Sequence, residues 1–220
     1  GASVGTRILF DTARLRLESS GSVLLAPAST THPHLAWAIF QMRNGGQRFF
    51  FGSVHLVPNE AADSNAVRDA EWDQLLAYLP GLSQGLPVVL GGDFNSVRSG
   101  VGANNSALTH LPKMATAGVA DTLLGEHDPA PADFKVADTR PTTPPLNANC
   151  MSHNAFIAAQ RCVDPTLVGQ QIDYLFGTNS LVVKNWEQVL DIDDAGNWIG
   201  TIPSDHNLIR ATITLPGVTG

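Results

Sequence analysis

The sequence predicts a single α/β or α+β sandwich, with sheets packed under helices. Three observations carry this reading. Short apolar runs, many alternating with polar residues, recur along the chain and outnumber helical stretches. One long amphipathic segment stands between two of the most hydrophobic runs. And 220 residues, 43% of them hydrophobic, are enough to bury one substantial core.

The strand-like runs, in order, are RILF at 7–10, RLRLE at 14–18, AWAIFQM at 36–42, RFFFGSVHL at 48–56, LPVVLGG at 86–92, QIDYLFG at 171–177, SLVVKNWEQVL at 180–190 and NLIRATITL at 207–215. Residues 61–79 differ. There Ala66, Val67, Ala70, Leu75, Leu76 and Leu79 recur at helical spacing among Arg68, Asp69, Glu71 and Asp73. This predicts an amphipathic helix that ends before Pro80, because the residue ahead of a proline is driven out of the helical region. A second, shorter helix is expected over 107–117. Residues 121–170, rich in Pro, Thr, Asn and Ala with PTTPPLNANC at the centre, read as a long loop-rich insertion within the one domain, which spans 1–220. Internal repeats and low-complexity tracts are absent from the sequence.

Thirteen Lys and Arg against twenty Asp and Glu give a net charge of −7, so the overall field repels a polyanion rather than gathering one. A divalent cation at a site can neutralise substrate phosphates locally, so net charge lowers a nucleic-acid substrate without excluding it. Apolar runs stay well below the roughly eighteen residues of a membrane-spanning helix, and GASVGTRILFD has neither the basic nor the long apolar part of a signal peptide. A soluble protein is expected, with any export signal already removed. Only 15% of residues are charged, and Cys150 and Cys162 are the two cysteines. Both features lean towards a secreted, extracellular protein. The two thiols could close a modest disulfide loop or stand unpaired; with no C-x-x-C, a thiolate metal cluster is not expected.

Four strand ends carry polar residues that a buried strand would not choose: His55 in SVHL, Asp93 and Asn95 in GGDFNS, Asp173 in QIDYLF, and Asp205 with His206 in PSDHNLI. Each has a bland explanation. His55 could be a hydrogen-bonded core histidine, Asp93 and Asn95 could shape an Asx turn, Asp173 could be a buried paired carboxylate, and Ser-Asp-His could cap the next element. Gathering four such groups without function would be expensive, since an unpaired buried polar group costs about 1–3 kcal/mol and a charge more.

VHL, then GDFN, then IDY, then SDH ahead of the last strand: in this order the residues resemble the endonuclease/exonuclease/phosphatase superfamily. RFFFGSVHL and GTIPSDHNLIRATITL are similar to its secreted bacterial branch. The resemblance implies a four-layer α/β/β/α sandwich of two packed mixed sheets flanked by helices, and a divalent-metal-dependent phosphodiester hydrolase, foremost a secreted nuclease. It implies that Asp93 orients or deprotonates the attacking water, and that Asn95, one strand period on, donates its amide to a non-bridging phosphate oxygen. His206 would contact the phosphate as an imidazolium held by Asp173, His55 would be a second phosphate-side histidine, and Asp205 would line the site of Mg²⁺, or Mn²⁺ or Ca²⁺. His55, Asn95 and His206 would thus be the substrate contacts. Gly91 and Gly92 would let the backbone come close.

The family pattern also starts with an Asn and a metal-ligating Glu on its first strands, and these match nothing ahead of Arg7. Glu18 and Glu60 are poor replacements: one lies on a surface-like strand and the other at a helix start, where an acid suits the dipole. The chain is therefore expected to lack the first strands of the fold, with a docked companion polypeptide supplying them. Arg14, Arg16, Lys113, Lys135, Arg140 and Arg161 are too scattered to mark a nucleic-acid groove. Trp186 and Trp198 could enter a membrane in a phospholipase but are expected to pack against the last strands. His32, His34, His110, His127 and His153 form no ligand spacing and are expected in loops or at the surface. The alternatives are a phosphomonoesterase, a sphingomyelinase-like phospholipase, or a non-catalytic scaffold without its metal ligand.

Overall fold

A computed structural model describes residues 6–25, 34–58, 64–96, 119–121, 141–163, 165 and 168–217. Eight strands and one helix are built among them: β1 (Leu15–Leu24), β2 (His34–Met42), β3 (Arg48–His55), α1 (Ser64–Ser83), β4 (Val88–Asp93), β5 (Val119–Asp121), β6 (Asp173–Thr178), β7 (Val182–Val189) and β8 (Leu208–Thr214). They form a six-stranded mixed sheet in the order β1-β2-β3-β4-β6-β5 and a two-stranded sheet of β7 and β8. The expected pairing of two sheets with helix is thus present. The helix expected at 107–117 lies outside the described residues.

Strand alternation decides which residue faces which layer. Leu35, Ile39, Phe50, Val54, Leu90, Tyr174 and Phe176 lie on the face of the large sheet that meets Trp72, Leu75 and Leu79 of α1. Their neighbours Phe49, Phe51 and Val89 point the other way and meet Leu181, Ile213 and Leu215 beside the small sheet. Each such large side chain removed from water contributes about 1.5–3 kcal/mol. A third, smaller cluster of Trp186, Ala148, Val168, Ile209 and Ala211 seats Ala148 and Val168 on β7 and β8.

Two expectations are corrected. RILF at 7–10 is not a strand; Leu9 is almost fully exposed, and Phe10 instead packs its ring 4.8 Å from Phe40. The helix does not stop before Pro80 but runs to Ser83, with Pro80 inside its last turn. Buried Leu79 and partly buried Leu82 dock on the same core, and that burial outweighs the N–H that proline removes. Gln84 and Gly85 then end the helix in the left-handed region.

The topology gathers the strand ends. β3 and β4 are parallel, joined through α1, and His55 pairs with Asp93 in their register. β6 runs antiparallel to β4, and Asp93 pairs with Asp173. Three adjacent strands therefore place His55, Asp93 and Asp173 in one row across the sheet.

Candidate active site

Gly92 permits this row. Its φ is +146°, and a Cβ there would stand 1.9 Å from the Val54 carbonyl oxygen. At Gly91 the closest approach of a Cβ would be to the movable Leu175 side chain, at 2.9 Å. Beyond them the chain alternates out, in, out. Asp93 faces the site, Phe94 is fully buried with its ring stacked 4.9 Å from Trp72, and Asn95 faces out again. Asn95 is reached by a turn and not by strand alternation: β4 ends at Asp93, and Asn95 sits at φ 47°. Its N–H donates to Asp93 Oδ1 at 2.8 Å, the Asx turn of the bland reading. Its side-chain amide donates to the Leu56 carbonyl at 2.9 Å and lies 3.3 Å from Asp93 Oδ2.

His206, just ahead of β8, completes the group. Its Nδ1 donates to Asp173 Oδ2 at 2.9 Å, and its Nε2 lies 3.8 Å from Asp93 Oδ2. His55 Nε2 reaches the same Asp93 oxygen at 3.5 Å from the other side. His55 is no core histidine, since half of its side chain is exposed. The hydrogen bond to Asp173 is the main reason His206 holds its proton above the usual imidazole range, against the effect of burial. Burial, then the neighbouring Asp173 charge, push Asp93 up, while the Asn95 N–H and the two histidines pull it down.

Asp173 is fixed from beneath. Ser152 Oγ accepts the N–H groups of Ile172 and Asp173 at 2.9 and 3.2 Å. Around it a buried polar network ties 148–154 to the strands: Gln171 and Gln188 donate to the Cys150 carbonyl, and Asn207 bridges Met151 and Gln188. Asn154 donates to the Ser204 carbonyl and to Asn207 Oδ1. Cys150 and Cys162 form a disulfide that closes this loop. Sequence reasoning passed over Ser152, Asn154, Gln171, Gln188 and Asn207. The available signal was amide side chains immediately beside two site motifs, in QQIDY and SDHN.

Among the described residues, two clusters of side chains could hold a cation. The ligand atoms of Asp93, Asp173 and His206 lie within 4.8 Å of one another, as do those of Asp205, His153 and His206. The first suits a hard divalent ion, because burial and then the Asp173 charge raise the pKa of Asp93, and a cation between the two carboxylates would relieve their repulsion. Asp205 stands on the His153 side. Glu18 lies on the outermost strand, paired with Arg16 at 3.0 Å and Arg48 at 2.6 Å, and the Arg48 guanidinium holds it below the usual carboxylate range. Glu60 lies outside the described residues, as do Lys113, Lys135, Arg140, His32, His110 and His127. Trp186 is buried against the small sheet as expected. Trp198, partly buried, lines a cleft of about 620 Å³ beside His206 together with Val189 of β7 and Leu208 of β8.

The sequence matches the Endonuclease/Exonuclease/phosphatase family over residues 21–206. The chain belongs to that family. No curated protein matches it at a significant level. Solved structures share the family's fold at low identity. An endonuclease/exonuclease/phosphatase family protein from Bacteroides thetaiotaomicron is 16% identical, with 93% of this chain and 67% of that one covered and a TM-score of 0.63. Mannosyl-6-phosphatase Bt3783 of the same bacterium is 17% identical, covering 94% and 69%, at TM-score 0.64. D. rerio TDP2, in complex with a single-strand DNA product, is 15% identical, covering 92% and 69%, at TM-score 0.55. This endonuclease/exonuclease/phosphatase chain thus spans about two thirds of each of these relatives, and its membership supports a hydrolase-type function. No helix among its described residues is long and apolar enough to cross a membrane.

Proposed function

We propose that the protein is a divalent-metal-dependent phosphodiester hydrolase, a secreted nuclease. The observation that carries this is His206, hydrogen-bonded through Nδ1 to Asp173 and facing Asp93 through Nε2, with His55 across from it. Asp93 takes the proton of, or aligns, the attacking water. His206 and His55 meet the phosphate oxygens, and Asp173 keeps the His206 ring charged and oriented. Asn95 gives its amide to a non-bridging oxygen by leaving Asp93 Oδ2, its longer contact. Bound Mg²⁺, Mn²⁺ or Ca²⁺, held by carboxylates including Asp205, would neutralise charge on the phosphoryl group. The disulfide supports an extracellular setting.

A docked companion polypeptide also belongs to this reading. An apolar cleft of about 440 Å³ between Phe40, Phe49 and Phe51 and the Ile213–Leu215 end of the small sheet supports it. Intact-mass spectrometry of the purified native protein tests this part: a second species beside the 23.3 kDa chain is expected.

Substrate class is tested with purified protein, Mg²⁺ and three kinds of substrate: DNA in single- and double-stranded form, a phosphomonoester, and sphingomyelin. Release of acid-soluble nucleotides, stopped by EDTA, is expected. Phosphate release alone would favour the phosphomonoesterase reading, which the fold shared with mannosyl-6-phosphatase Bt3783 supports. Choline phosphate would mark a phospholipase. No hydrolysis of any substrate would favour the scaffold.

A further inference from the structure

His153, unremarkable in the sequence, is held against His206 with unusual definition. The two residues form an antiparallel bridge, and their rings lie 4.8 Å apart. Asn154 N–H donates to the Asp205 carbonyl at 2.7 Å, and Asn207 N–H donates to the Ser152 carbonyl at 2.7 Å, so the backbone is zipped on both sides of the pair. Ala155 and Phe156, immediately beyond, both sit at positive φ, a strained arrangement for residues other than glycine. The Cys150–Cys162 disulfide closes the loop that carries them. Considerable backbone order is thus spent on presenting one imidazole beside that of His206.

We propose that His153, Asp205 and His206 form a binding site for a borderline transition-metal cation of the Zn²⁺ class, which shares His206 with the Asp93 and Asp173 cluster and Asp205 with the proposed Mg²⁺ site but adds a second imidazole to them. The ligand atoms of the three residues lie within 4.8 Å of one another, close enough to converge on one ion, and all three side chains are half-buried. Two imidazoles and one carboxylate prefer Zn²⁺, Ni²⁺ or Cu²⁺ over Mg²⁺ or Ca²⁺. Asp173 already occupies Nδ1 of His206 at 2.9 Å, which fixes the tautomer and leaves Nε2 for the metal, as a carboxylate behind a ligating histidine commonly does. Because the proposed function assigns that same Nε2 to the phosphate, occupancy by such a cation inhibits hydrolysis. That consequence rests on the functional reading; the site itself does not.

The test is calorimetric titration of the metal-free protein with Zn²⁺, with the Co²⁺ absorption spectrum as a second readout. One ion per chain and a visible band typical of nitrogen-ligated Co²⁺ are expected. His153→Ala should weaken Zn²⁺ binding at least tenfold and diminish the band, Asp205→Asn should weaken binding similarly, and His55→Ala should leave it unchanged. Far-UV circular dichroism checks that each variant is folded. Absence of stoichiometric Zn²⁺ binding overturns the proposal. So does equal affinity in wild type and His153→Ala, which would put the ion between Asp93, Asp173 and His206. Both outcomes are readable even if the protein hydrolyses none of the three substrates, so failure of the site and failure of the functional reading are told apart.

Discussion

Asp173 Oδ2 accepts a hydrogen bond from His206 Nδ1 at 2.9 Å, and this contact is the main cause of the raised His206 pKa. Asp173→Asn keeps the shape but removes the charge, so the imidazolium loses its partner. With the folded pKa raised, the protonated ring persists above about 6.5 and is lost only as pH climbs through the higher value. The variant should therefore show its alkaline fall in kcat at lower pH than wild type. Its kcat near pH 7 should drop by about 10²–10⁴, with the circular dichroism spectrum intact. A profile that keeps the wild-type alkaline limb would remove Asp173 from its positioning role.

Gly92→Ala tests whether the row across β3, β4 and β6 depends on close backbone approach. The new methyl would stand 1.9 Å from the Val54 carbonyl, at a φ that L residues rarely adopt. Because the clash is with backbone, β3 and β4 must separate where His55 meets Asp93. Destabilisation of about 2–4 kcal/mol in urea unfolding is expected, with hydrolysis lost even where the chain remains folded. A variant as active and stable as wild type would show that the approach is unnecessary.

His55, Asp93, Asn95, Asp173, Asp205 and His206 were legible because strand ends impose a test: a polar residue where alternation expects burial needs a reason. The strands were legible for the same cause, as period two survives in RFFFGSVH and LIRATIT. Asn95 shows where that logic overreaches, since the chain leaves the strand at Asp93 and reaches Asn95 through a left-handed turn. RILF shows another limit: three apolar residues in a row state a propensity, but a strand also needs a partner edge. His153 was invisible because its partner is 53 residues away, and only the bridge across two loops brings them together. The family resemblance contributed order among the motifs; it could not announce a residue outside them.

Removing the disulfide should loosen what Ser152 and His153 hold. Cys150 and Cys162 close a loop of 12 residues, a restraint on the unfolded chain worth about 2–4 kcal/mol. Cys150→Ser with Cys162→Ser, or reduction, should lower the thermal midpoint. Native hydrogen exchange should rise first at 151–163, ahead of β3, β4 and β6. Uniform exchange across both regions would mean that the loop and the large sheet unfold as one unit.

Glu71 offers a test of the helix that backs the site. It is fully buried; its Oε2 accepts the Val57 N–H at 2.9 Å, and its Oε1 has no hydrogen-bond partner. Burial pushes its pKa up to about 7, against the Val57 hydrogen bond and the Arg68 charge. A carboxyl group raised on folding contributes stability that is fully present below its unfolded pKa, about 4.3, and is lost as pH rises through about 7. Glu71→Gln keeps an acceptor for Val57 and cannot titrate. The thermal midpoint of the variant relative to wild type should therefore rise between pH 5 and pH 8, whatever its offset at pH 5. Leu56, whose carbonyl takes the Asn95 amide, directly precedes Val57, so the tether also bears on the site. Above pH 7 wild type should lose protection at the Leu56 and Val57 amides faster than the variant does. Parallel midpoint curves for the two proteins would show that Glu71 titrates in its ordinary range and that the tether is insensitive to its charge.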